Sequence, residues 1–137
     1  MANTKAIGVA YLDQDIIGAD NISSASVLGY TAAAQGTVTQ ATSKSTAVTL
    51  NKSAGQITMN NASLATATNA TFTLNNTYLS ANDTLIVTIA SGQTTAGSYN
   101  CWANNMAAGS AAITLRNISG GTLSEAIVIN FAIIHCA

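Results

Sequence analysis

The sequence predicts an all-β fold, a jelly-roll-like antiparallel β-sandwich of about eight strands with an N-terminal arm. Three observations carry this. Apolar residues alternate with Thr, Ser, Asn and Gln in short runs of period two, the signature of a half-buried strand. Clusters of Gly, Ser, Asn or Asp separate the runs at short, regular spacing. No stretch of the 137 residues shows sustained helical periodicity, and the chain contains no proline.

The elements follow in order. In the stretch GTVTQATSKSTAVTLNKSAGQITM, residues 36–59, three runs centre on Val38, on Val48 and Leu50, and on Ile57 and Met59. Threonine recurs because its branched Cβ suits a pleated strand while its hydroxyl meets water or a neighbour. The small-residue stretch Ala62–Ala70 (ASLATATNA) reads as a loop. In Ala70–Leu74, Phe72 and Leu74 share one face and Thr71 and Thr73 the other. Leu85, Val87 and Ile89 align in Thr84–Ala90, between the turn signals Asn82-Asp83 and Ser91-Gly92. Ser98–Met106 sets Tyr99, Cys101 and Ala103 against Asn100, Trp102 and Asn104. Ile113 and Leu115 form the next run, ahead of Asn117 and Gly120-Gly121. The last run, Ala126–Ile134 (AIVINFAII), is the most apolar and is expected to be the most buried. Eight strands without intervening helices suit two packed sheets, a jelly roll or a simpler Greek-key sandwich.

Residues 1–35 break the pattern and are assigned to an arm, with the sandwich domain at 36–137. Ala6–Leu12 (AIGVAYL) has strand character, and Asn21–Gln35 has no clear period. Two readings stand side by side: an arm that orders on a partner, or a strand and loop packed on the chain's own domain.

Composition narrows the function classes. Hydrophobic residues make up 48% of the chain, enough for a core, yet charged residues make up only 7%, against about a quarter in ordinary soluble domains. Net charge is −1, and Lys5, Lys44, Lys52 and Arg116 are scattered, so no basic stripe suggests nucleic acid or an anionic membrane surface. The N-terminal twenty residues lack the long apolar stretch of a signal peptide, and nothing approaches a membrane helix. Cys101 and Cys136 do not make a disulfide framework and read as free thiols of a cytosolic product.

Catalytic and metal motifs are weak. His135 and Cys136 are neighbours at a strand end, so their side chains should diverge. A Cys–His pair would need His135 to reach Cys101, with no orienting acid in view; a buried thiol and an exposed imidazole are expected instead. Asp13-x-Asp15 with Gly18 resembles the start of a calcium loop, but Ile17 occupies a ligand position and no Glu closes it. Cys101, His135 and Cys136 lack zinc spacing. Asn-x-Ser/Thr triplets at Asn61, Asn69, Asn75 and Asn117 are compositional. No phosphate loop is present, and no cofactor or metal is expected. Tyr99 and Trp102 are the candidate aromatic anchors.

The segments GTVTQATSKSTAVTLNKSAGQITMNNASL, FTLNN and AAITLRNISGGTLSEAIVINFAII, in that order over residues 36–134, resemble a domain found among virion proteins of tailed bacteriophages. The resemblance implies a small capsid decoration (cement) protein on the head exterior, clamping neighbouring major capsid subunits. Related domains at tail-fibre or spike ends imply the alternative, recognition of a host surface receptor. It also implies a homo-oligomer, a dimer before a trimer, with neither nucleic acid nor membrane as partner, and no enzymatic activity. On the cement reading, Ala6, Ile7, Val9, Tyr11, Ile16 and Ile17 are candidate contacts; on the receptor reading, Tyr99 and Trp102 are.

Overall fold

The computed structural model describes residues 25–136. A three-residue 3₁₀ turn, Ala32–Ala34, leads into eight strands: β1 (Gln35–Thr39), β2 (Val48–Thr49), β3 (Ala54–Thr58), β4 (Asn69–Asn75), β5 (Thr84–Ser91), β6 (Tyr99–Ala107), β7 (Ser110–Asn117) and β8 (Val128–Ile134). They form two four-stranded sheets, β1-β3-β8-β5 (sheet A) and β2-β4-β7-β6 (sheet B). All eight expected runs became strands, and 62–68 is a loop but for one bridge between Leu64 and Leu123.

Burial follows the alternation residue by residue. In β4, Ala70, Phe72 and Leu74 are buried while Thr71 and Thr73 face out. They meet Ile113, Leu115 and Ala111 on the same sheet, and Ile57, Ile129, Phe131 and Ile133 from sheet A. Because side chains alternate with period two, a slip of one residue in any of these strands would turn its Leu, Ile or Phe outward. The core therefore fixes the register.

The expectation of a purely antiparallel sandwich needs correction. Four of the six pairings are antiparallel, but β1–β3 and β2–β4 run parallel. The chain changes sheet at every connection from β1 to β6, so strands two apart in sequence return to the same sheet, where β1 and β3, and β2 and β4, land side by side and parallel. The β6–β7 hairpin alone joins sequential strands within one sheet.

The most buried strand is β7, not β8. Five of its eight residues are buried, against three of seven in β8. Both lie between two neighbours, but the outer face of β7 is also covered. Thr114, only 2% exposed, sits between Thr71 of β4 and Trp102 of β6 and shares a 2.8 Å hydroxyl hydrogen bond with Thr71.

Polar side chains close the ends. Asn117 is fully buried; its amide donates to the Leu64 and Gly121 carbonyls at 2.9 and 2.8 Å and its Oδ1 accepts from the Ser119 N–H at 2.9 Å. A sequence triplet resembling a glycan acceptor thus serves as a turn brace. Gly55 is required by close approach: a Cβ there would lie 2.5 Å from the Gly36 carbonyl oxygen and 2.9 Å from Leu50 Cδ2.

Candidate interaction faces

Arg116 is the only charged residue in any of the eight strands. On the outer face of sheet B its guanidinium donates to Asn69 Oδ1 at 3.3 Å, and the remaining surface is Thr, Asn, Ser and Ala around Trp102. Trp102 is half-buried between Asn100 and Asn104. Asn104 donates to Thr114 Oγ1 at 3.4 Å, while its Oδ1 is shielded from water without a hydrogen-bond partner.

Among the described residues, the sheet A strands carry no charged side chain. One end carries exposed Ile86 and Ile134 beside the small Ala132. An open cleft of about 610 Å³ lies over β1, β3 and β8, with Gly36 and Gly55 in its floor and Tyr30, Gln35, Thr37, Gln56 and Asn130 around it. Tyr30 is held there by its hydroxyl, which donates to the Ile133 carbonyl, and by Gln35, whose amide donates to the Tyr30 carbonyl at 3.0 Å. Upstream, Val27 and Leu28 are 86% and 83% exposed.

The expected anchors separate. Tyr99 is 5% exposed and belongs to the core, so it is not a surface contact; Trp102 lies on the opposite face. Burial raises the Tyr99 hydroxyl pKa above its ordinary value, with the Glu125 carboxylate adding to the effect. The candidates Ala6, Ile7, Val9, Tyr11, Ile16 and Ile17, and the acidic turn at Asp13 and Asp15, lie outside the described residues.

Two clusters of titratable groups form that sequence reading did not assemble. His135 Nδ1 lies 3.0 Å from Asp83 Oδ2, an orienting acid that sequence distance had hidden. Asp83 also accepts from the Ser80 N–H at 2.8 Å, the Ser80 hydroxyl at 2.7 Å and the Cys136 N–H at 3.3 Å. The Ser80 N–H chiefly, against the opposing effect of burial and helped by the other donors, holds its carboxyl down at about 2. This is the geometry of a clasp joining the β4–β5 loop to the chain after β8. Cys136 is exposed, while Cys101 is half-buried with its thiol pKa raised by burial. His135 therefore neighbours Asp83 and Cys136.

Lys44, counted in the sequence as one more scattered cation, is 3% exposed. Its ammonium donates to the carbonyls of Asn60 and Glu125 at 2.6 and 2.5 Å. Gln40 braces the same loop, donating to the Lys44 and Thr46 carbonyls and accepting from the Asn60 N–H. Glu125 Oε1 accepts from the Thr94 N–H at 2.7 Å, and the Thr94 contacts lower its pKa. Among the described residues no group of three or more His, Cys, Asp or Glu could hold a metal ion, and no helix is long and apolar enough to cross a membrane.

The chain matches no protein family, no curated protein and no solved structure in comparisons with each.

Proposed function

We propose that this chain is a structural virion protein that decorates a bacteriophage capsid and stabilises it by clamping neighbouring major capsid subunits. The observation that carries the reading is the near-absence of charge from both sheet faces, with Arg116 the sole exception in the strands. Covering amides, hydroxyls and methyls costs far less desolvation than covering charges, provided the polar groups find partners. Such faces suit permanent packing against protein. The order of motifs across residues 36–134, similar to virion domains, supports the same role. A protein that binds only the assembled shell stabilises it by mass action, and a symmetric lattice multiplies weak contacts because each bound oligomer engages several subunits.

The test is immunogold electron microscopy of purified virions with an antibody against this chain, paired with the heat stability of shells with and without it. Label over the head faces and earlier rupture of undecorated shells is the expected result. Label confined to the tail end would replace this reading with receptor binding, which Trp102 favours as an aromatic ring between two amides on an open sheet. In that case Trp102→Ala abolishes binding to host surface glycan. No label on particles with an accessible epitope would overturn both.

A further inference from the structure

We infer that the outer face of sheet B binds an acidic sugar, with Trp102 stacked on a pyranose ring and Arg116 holding that ring's carboxylate. The inference goes beyond the decorating role and rests on neither a head nor a tail position; it leaves sheet A for the packing proposed above. It begins from the one exception to the neutral strands. Arg116 is half-buried on the inner strand β7, and among the described residues its guanidinium has one hydrogen-bond partner, Asn69 Oδ1. Most of its donor fork is therefore unengaged. No carboxylate accompanies it. The only acidic side chains among the described residues are Asp83, held by Ser80 and His135, and Glu125, held by Thr94. A neutral protein surface pressed over this guanidinium would take a charge out of water with nothing to compensate it. An anion supplies that compensation.

The strand register sets what surrounds it. Asn100 of β6 and Asn69 of β4 lie directly opposite Arg116 on its two sides. Two residues along the same face, Trp102 and Thr71 flank Thr114 in the same way. Thr114, bonded to Thr71 and 2% exposed, closes the floor between them. Trp102 and Arg116 are thus diagonal neighbours across β6 and β7, about 7 Å apart, a gap that long side chains span. One pyranose with its exocyclic carboxylate bridges that distance. Each feature then selects part of the ligand. The indole offers a flat apolar surface to the C–H face of the ring. The amides of Asn69 and Asn100 meet ring hydroxyls, and the planar guanidinium matches a planar carboxylate with two parallel bonds. One positive charge among neutral amides suits the single charge of a hexuronic acid better than a phosphate monoester, which carries nearly two.

The experiment is titration of the purified full chain with trigalacturonate, a carboxylated sugar trimer, and with neutral galactotriose. Trp102 is the chain's sole tryptophan, so its fluorescence reads occupancy at the site itself, while calorimetry reads binding anywhere on the molecule. The expected result is a saturable fluorescence change with trigalacturonate that weakens as salt is raised. Galactotriose binds more weakly by roughly 10-fold or more, the loss of a charged hydrogen-bond pair. Arg116→Gln, its melting curve checked against the wild type, brings both sugars to the same affinity. Arg116→Lys keeps the charge but loses the fork, and falls between. Binding of neither sugar overturns the inference, as does equal wild-type affinity for both. Heat without a fluorescence change places the sugar elsewhere and overturns it too, as does an acid preference that survives Arg116→Gln. If that variant does not fold, the wild-type comparison of the two sugars and its salt dependence decide the matter. Because titration reads the isolated protein and virion labelling reads its place on the particle, failure of one leaves the other standing.

Discussion

Replacing Lys44 with Met tests how the loops are held to the sandwich. Methionine keeps most of the apolar stem but removes the ammonium, leaving the part-buried Asn60 and Glu125 carbonyls without that donor. Hydrogen bonds from a charged donor contribute about 1.5–3 kcal/mol each, and a bare buried carbonyl costs about 1–3 kcal/mol. Against this, the variant no longer desolvates an ammonium, which returns part of the loss. The net expectation is about 3 kcal/mol of destabilisation, or roughly 10 °C in Tm for a domain of this size. Urea unfolding with an unchanged m-value and a lower midpoint would report it. The pH dependence supplies an independent check. Burial lowers the Lys44 amine below its ordinary 10.5, with the charge of Glu125 opposing. The folded chain then binds fewer protons than the unfolded chain just below 10.5, so this residue makes stability rise with pH in that window. Lys44→Met should lack that increment. A variant as stable as the wild type within about 0.5 kcal/mol, the size of an ordinary surface substitution, would refute the reasoning.

The Asp83 clasp predicts acid sensitivity. Its carboxyl is held at about 2, below its ordinary 3.8, so its contribution is complete above about pH 4 and is lost as pH falls toward 2. Asp83→Asn should flatten that part of the stability profile measured by thermal melts. Gly55→Ala should cost about 1–3 kcal/mol or more, because the new methyl meets the Gly36 carbonyl, while Gly29→Ala, where nothing lies within 4 Å, should melt with the wild type.

The strands were legible because one face of each is buried and the other is not. Phe72 and Leu74 against Thr71 and Thr73 is a pattern that only a strand at a core boundary satisfies. Strand direction left no such trace, since β1 and β2 alternate in the same way whether their neighbour runs with or against them. Long-range polar contacts were equally silent. Asp83 and His135 are far apart in sequence, and the chemistry of either alone describes an exposed charge or ring. Lys44 reads as solvated until the loop carbonyls that surround it are placed in space. Alternation set Tyr99 and Trp102 on opposite faces of one strand without saying which face is inner; the sandwich buries Tyr99 and turns Trp102 outward, so the pair does not form one anchor. Tyr30 and the cleft escaped notice because they depend on β1, β3 and β8 arriving side by side.

The position of β8 has a bearing on biosynthesis. It lies between β3 and β5 and supplies every antiparallel pairing in sheet A. Until residues 128–134 leave the ribosome, that sheet has only the short parallel contact of β1 with β3, and half the core lacks its cover. Sheet B can form its β6–β7 hairpin earlier, but it then waits with its apolar face open, a state prone to aggregation. Completion of these two sheets thus depends on β8, so a chain cut short anywhere before it should fail to fold. The dependence on β8 in this way screens folded copies for having been synthesised through residue 134.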